Sequence, residues 1–204
     1  MIPNFSDEYL TIKSSVRTKL KVEGSIFIAT AIPIDPEESA EEWIRKISKE
    51  FFGATHNCFG WRIKKGEQES FKSSDAGEPR GTAGKPILSA IESEKLYNIL
   101  VVVTRYFGGV KLGTGGLSRA YRSCAQSALQ KAEKVTKWIT SEISFSYPLS
   151  MTGRVNQIIS KYNVRVLESG FMDYAKARIE IKVSLLETIK KVLVEATNGQ
   201  VKFE

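Results

Sequence analysis

Three short stretches of this chain hold the residue types from which chemistry is built. The first is Arg105-Tyr106-Phe107-Gly108-Gly109-Val110-Lys111-Leu112-Gly113-Thr114-Gly115-Gly116, which leads into a helical pattern carrying Arg119 and Arg122. Glycines let backbone N–H groups approach an anion, and a helix N-terminus adds unpaired N–H groups and a favourable dipole. Arg119 and Arg122 stand at i and i+3, on one face and away from the apolar stripe. Arg105, Lys111, Gly113, Gly115, Gly116, Arg119 and Arg122 are therefore candidate phosphate-binding residues; the alternative is a glycine-dependent turn with no ligand. The stretch is not a clean dinucleotide fingerprint, because Ser118 stands where the third glycine is required.

The second stretch is Ser73-Ser74-Asp75-Ala76-Gly77-Glu78-Pro79-Arg80-Gly81-Thr82-Ala83-Gly84-Lys85-Pro86. Its tail resembles a P-loop but fails on spacing: a glycine is needed at Pro79 and a hydroxyl at Pro86 to hold magnesium. Asp75 and Glu78 are candidates for general acid/base work or weak metal ligation. The alternative is that they cap the loop and pair with Arg80 or Lys85, which join the phosphate-binding candidates if the two loops converge. The third stretch is His56-Asn57-Cys58. On a strand, i and i+2 share a face, so a Cys–His dyad is conceivable, with His56 a further catalytic candidate. A buried thiol beside a hydrogen-bonded histidine is the simpler expectation. One histidine and two distant cysteines compose no zinc site, so neither metal nor cofactor is expected.

These stretches need elements to position them. Tyr9 to Ile34 reads as two or three strands, with Gly24 marking a turn. Asp35-Pro36-Glu37-Glu38 signals a helix start, and Trp43, Ile44, Ile47 and Phe51 share one helical face. Thr55 to Lys65 reads as a strand turning at Lys65-Gly66-Glu67, with Gln68 to Lys72 as its partner. Ser73 to Gly84 is a polar loop and Pro86 to Glu94 a short helix. Asn98 to Thr104 is a continuous apolar run, as expected of a central strand buried on both faces. A helix from about Leu117 to Lys134 follows the glycines, with Leu117, Tyr121, Cys124, Ala128 and Val135 on one stripe.

From Ser141 the rhythm changes. Strand (Ser141 to Ser150), helix (Thr152 to Tyr162), strand (Val164 to Phe171), strand (Ala175 to Val183), helix (Leu185 to Thr197) and strand (Gln200 to Phe203) give βαββαβ, the ferredoxin-like order. The expected fold class is α+β in two domains, 1–137 and 138–204.

Composition bounds the function. The 204 residues are 42% hydrophobic and 26% charged, which excludes a disordered or disulfide-stapled chain. No apolar run is long enough for a membrane span, and the first eight residues do not look like a signal peptide, so a cytoplasmic location with reduced Cys58 and Cys124 is expected. The net charge is +7, and residues 105–137 alone hold seven cations against Glu133. The excess is a local patch suited to an anionic partner.

Ala54–Phe59, Ser74–Pro86, Val102–Gly113 and Gly115–Tyr121 resemble, in order and spacing, the signatures of the IMPACT/YigZ family, and the tail is similar to the domain appended in bacterial members. Ala76 departs from the family pattern where an acid is common, which weakens a two-carboxylate metal site, and Arg80 where a small residue is common. The resemblance implies a first domain of the two-layer type shared by ribosomal proteins and GHMP kinases, and a ferredoxin-like second domain. It implies a translation-linked role without an attached enzymatic activity; the partner-binding domain of eukaryotic members is missing. The leading expectation is an RNA- or ribosome-binding protein. The alternatives are an enzyme acting on a phosphorylated small molecule or nucleotide, and a protein-interaction regulator using the same basic patch.

Overall fold

The computed structural model describes residues 7–35, 40–65 and 68–204. It divides into two units: Tyr9–Lys137, and Trp138–Glu204 together with Asp7 and Glu8. In the first unit, β1 (Glu8–Ile12) is followed by β2 (Val16–Val22) and β3 (Ser25–Pro33). Next come α1 (Ala40–Glu50), β4 (His56–Lys65) and β5 (Gln68–Ser74). The unit continues with α2 (Gly84–Ser93), β6 (Ile99–Tyr106), α3 (Gly113–Lys131) and β7 (Lys134–Trp138). The helix-start signal at 36–38, the turn at 66–67 and the first six residues lie outside the described residues.

Five strands form one antiparallel sheet in the order β2-β3-β6-β4-β5, while β1 pairs with β7. As its continuous apolar run requires, β6 is central and buried on both faces. Ile99, Val101 and Val103 pack with Phe27, Ala29 and Cys58 against α2 and α3. Leu100 and Val102 point the other way, to α1, where Ile47 packs against them with Trp43, Ile44, Phe59 and Trp61 alongside. This two-sided core fixes strand register, because a slip of one residue would exchange the faces.

Two expectations about α3 change. The helix starts at Gly113, four residues earlier than its apolar stripe suggests, and it ends at Lys131. Val135 therefore leaves the helical stripe and stands in β7, which pairs with β1. β-branched Val135 and Thr136 suit a strand, and the partner that decides it lies more than a hundred residues away.

The second unit contains β8 (Thr140–Pro148), α4 (Thr152–Lys161), β9 (Arg165–Phe171), β10 (Tyr174–Lys182), α5 (Leu186–Ala196) and β11 (Lys202–Phe203). The antiparallel order β11-β8-β10-β9 is that of a ferredoxin-like sheet. Ala175, Ala177, Ile179 and Ile181 are buried with Val155 and Ile158 of α4 and Ile189 and Leu193 of α5. The alternate residues Lys176, Arg178, Glu180 and Lys182 form the opposite face. Among the described residues no helix is long and apolar enough to cross a membrane, which says nothing of a β-barrel.

Candidate functional site

Register builds the site. Phe27 of β3, Arg105 of β6 and His56 of β4 are cross-strand neighbours, so their side chains stand in a row on the face that carries α2 and α3. Cys58 follows two residues along on the same face, opposite Val103. Arg105 is only 5% exposed, so its charge needs a buried partner. The loop before α2 supplies it: Arg105 Nη1 donates to Glu78 Oε1 at 2.6 Å, and Tyr121 of α3 donates its hydroxyl to the same oxygen at 2.8 Å. Arg105 Nη2 reaches Ser25 Oγ at 3.3 Å, while Nε is buried without a partner. The guanidinium carbon lies 5.4 Å from the ring centroids of both Phe27 and Phe107.

Asp75 shapes the loop that delivers Glu78. Its carboxylate accepts from the N–H groups of Gly81 (2.7 Å), Ala83 (2.9 Å) and Gly84 (2.9 Å), capping α2 from a distance in sequence. Gly84 allows this fit: a Cβ there would stand 2.7 Å from Ser74 N. Burial works to raise the Asp75 pKa, but the N–H groups of Gly81, Gly84 and Ala83, with the charge of Lys85, outweigh it and hold the carboxyl below its ordinary value. A depressed carboxyl stabilises the fold above its unfolded-state pKa, and this contribution disappears as pH falls through the folded value. Asp75→Ala is expected to cost about 1–3 kcal/mol near neutrality, the cost of stranding backbone donors. In urea titrations at a series of pH values, the gap between wild type and variant should close below about pH 4.

Cys58 Sγ lies 2.8 Å from the Asp75 carbonyl, to which it donates, and 3.4 Å from the Tyr121 hydroxyl. Burial pushes its pKa up to about 12, against the Tyr121 hydrogen bond and with the negative charges of Glu78 and Asp75. Burial, Cys58 and Glu78 raise the Tyr121 phenol. His56 Nδ1 is 2.9 Å from the Ala76 carbonyl, so this nitrogen carries a proton, and Nε2 faces Glu78 at 3.9 Å without a hydrogen bond. No Cys–His dyad forms. Two cysteine-, histidine- and carboxylate-rich stretches are thus joined into a latch that holds the loop on the sheet, with a thiol too protonated to attack. Among the described residues no group of three or more His, Cys, Asp or Glu side chains is placed to hold a metal ion.

The glycine-rich segment is anchored to the same frame. Thr55 Oγ1 accepts from Phe107 N at 3.0 Å, and Ser25 Oγ from Gly108 N at 3.2 Å. Gly108 lies so close to Gly24 that a Cβ would stand 1.9 Å from the Gly24 carbonyl carbon. Further on, Gly109 and Gly113 adopt φ values of +88° and +67° beside open space. The Arg119 guanidinium folds back over the first turn of α3, where an added Cβ on Gly115 would be 3.4 Å from Nη1.

The anion-binding candidates therefore separate. Lys111, Arg119, Arg122 and Arg80 are exposed and make no ion pair with a described residue, Lys85 is exposed with its charge acting on Asp75, and Gly113 and Gly115 are exposed with Gly116 partly so. Arg105 does not belong with them, since its charge is enclosed and committed to Glu78. Glu78 pairs with Arg105, and neither Arg80 nor Lys85. The loops at 75–84 and 105–116 do converge, through Glu78. Sequence reasoning missed the part of Tyr121, read only as a member of an apolar stripe, and of Ser25 and Thr55; a hydroxyl among apolar stripe positions was the one available signal.

Fold and site define a class: an α+β protein of two units, whose first unit latches the loop before α2 to the sheet through a buried carboxylate, guanidinium and phenol and anchors a glycine-rich basic segment beside it. Residues 23–129 match the model of the Impact N-terminal domain. An IMPACT family member of Haemophilus influenzae is 35% identical over 95% of this chain and 94% of its own. YvyE of Bacillus subtilis is 31% identical over 94% of this chain and 88% of its own. Protein IMPACT of Oryctolagus cuniculus shares 29% identity over 52% of this chain and 33% of its own. A crystal structure of a hypothetical protein superposes with a TM-score of 0.73 at 24% identity, covering 98% of this chain and 97% of that one. The chain belongs to the IMPACT family.

Proposed function

We propose that this protein serves a translation-linked regulatory role by binding RNA, free or on the ribosome, through the exposed face at the start of α3. The observation that carries the reading is four exposed cations that make no ion pair with a described residue, Arg80, Lys111, Arg119 and Arg122, on segments tied to one buried latch. Phosphates are matched by such cations together with the N–H groups at a glycine-lined helix start. The second unit offers a useful contrast. On its open sheet face Arg178 bridges Glu142 and Glu168, Arg165 pairs with Glu180 and Lys176 with Glu204. That face satisfies its own charges, and it favours solvent over a polyanion. The resemblance to the IMPACT family supports the link to translation, and the part shared with Protein IMPACT of Oryctolagus cuniculus spans 107 residues.

Binding to single-stranded RNA, followed by fluorescence anisotropy across a salt series, tests the reading. Affinity should fall steeply with salt, and the triple substitution Lys111→Ala, Arg119→Ala and Arg122→Ala should flatten the log–log slope by about 2, roughly 0.7 per lost phosphate contact. Arg80→Ala should flatten it less. Absence of salt-dependent binding, or an unchanged slope in the triple variant, would direct attention to an acidic protein partner instead.

A further inference from the structure

Phe107 is out of place for a residue followed by two glycines. Phe107 is 47% exposed, and Val110 three residues on is 49% exposed. Yet its backbone is among the most restrained in the loop: its N–H is held by Thr55, the next N–H by Ser25, and Gly108 is wedged against Gly24. Beneath one side of the ring lies the enclosed Arg105 guanidinium, 5.4 Å from the centroid. A cation over one side of an aromatic ring orients it, so that a second planar partner would take the opposite side. Tyr106 does not share this position, because as the last residue of β6 it pairs with Ile26 and is partly buried.

Charge around the ring selects the partner. Lys111 follows four residues on, within about 14 Å along even a fully extended chain, and the helix start with Arg119 comes directly after it. No carboxylate occurs between Arg105 and Arg122. An apolar partner alone would leave these cations unmatched. A base attached to a phosphodiester chain matches both features, provided that the base is unpaired: a duplex hides its faces in the stack, whereas single strands present them to aromatic side chains.

We infer that Phe107 is a stacking platform that makes this surface selective for single-stranded RNA over duplex, an inference that rests on the RNA-binding reading above and deepens it. The ring contributes by stacking, which responds weakly to salt, and the cations by phosphate contact, which responds strongly.

The test compares short oligouridine with the same strand paired to oligoadenine, for the wild type, Phe107→Leu, Phe107→Trp and the triple cation variant. Leucine keeps an apolar cover over Arg105 but lacks a π face. Wild type should prefer the single strand, and Phe107→Leu should bind it about tenfold more weakly with an unchanged salt slope and an unchanged urea midpoint. Phe107→Trp should retain affinity, and its added indole, beside the three tryptophans of the chain, should be quenched by the single strand. If Phe107→Leu binds as wild type, or duplex binds as tightly as single strand, while the triple variant is weakened, the stacking assignment falls and the RNA-binding reading stands. If the triple variant also binds unchanged, both fall. Should the leucine variant fold poorly, an unquenched indole in Phe107→Trp overturns the assignment by itself.

Discussion

Replacing Glu78 with alanine is expected to lower stability by about 3–5 kcal/mol, the usual cost of removing one partner from a buried ion pair. The side chain of Glu78 is 3% exposed and that of Arg105 6%. Without the carboxylate, the guanidinium is left in a site whose remaining polar contact is Ser25, and it already has one unpartnered N–H at Nε. The phenol of Tyr121 loses its acceptor in the same step. Urea denaturation of Glu78→Ala, Arg105→Met and the double variant Glu78→Leu with Arg105→Met separates the contributions. The double variant should be closer to wild type than Glu78→Ala, because it leaves no orphaned charge. Near-additive losses in the double variant would show that the two groups do not act as a pair. A further consequence is functional: once Glu78 is gone, the loop bearing Arg80 loses its tie to β6 and α3, and RNA affinity should fall even under conditions where the protein remains folded.

The second large effect is expected from Gly108→Ala. The added methyl group would meet the Gly24 carbonyl carbon at 1.9 Å, its oxygen at 2.2 Å and Ser25 N at 2.3 Å. All three are backbone atoms of the β2–β3 turn, so no side chain can swing aside. Gly24 itself has φ +78°, a region that an L residue adopts only with strain, so the turn has little freedom to yield. The change should cost about 3 kcal/mol or more, at the upper end of overpacking effects. Two responses are open to the chain: the turn moves and the β2–β3 hairpin loosens, or the glycine-rich loop lifts away and takes Phe107 with it. Hydrogen exchange distinguishes them by loss of protection at Phe107 and Gly108 against loss along β2 and β3. Gly109→Ala is the matched control. It meets no neighbouring atom, so its cost should be limited to the strain of φ +88°. Equal destabilisation by the two substitutions would contradict the close approach.

Much of this architecture was legible from local pattern. Ile99 to Val103 is apolar without interruption, as suits a strand covered on both faces, so its central place follows from the residues themselves. The alternation in Ala175 to Val183 likewise dictates a sheet with one buried face, and the βαββαβ order of the second unit emerges from such segments in series. The glycine-rich run, the helix after it and the localised positive charge are equally properties of neighbouring residues. So is the resemblance that placed the chain in its family.

What adjacent residues do not encode is which of two similar groups faces inward. Arg105 and Lys111 are both cations flanking glycines, and nothing in their neighbourhood distinguishes them. The difference arises because Arg105 is the last inward-facing position of β6, where Phe27 and His56 flank it and Glu78 arrives from a loop 27 residues earlier. Asp75, which the sequence allowed as an acid or a cap, becomes a cap because the turn leading into α2 brings the N–H groups of Gly81, Ala83 and Gly84 to it. Val135 leaves its helix because β1 offers a strand partner. Each of these outcomes depends on a partner distant in the chain: a charge or hydrogen-bonding group declares its own valence locally, but its free energy is set by what the fold brings within about 3 Å of it. Local pattern sufficed for most strands and helices, though not for β7, and for the excess of charge near the glycines. Tertiary structure decides that Arg105 is a buried tie, while Lys111, Arg119 and Arg122 stay exposed.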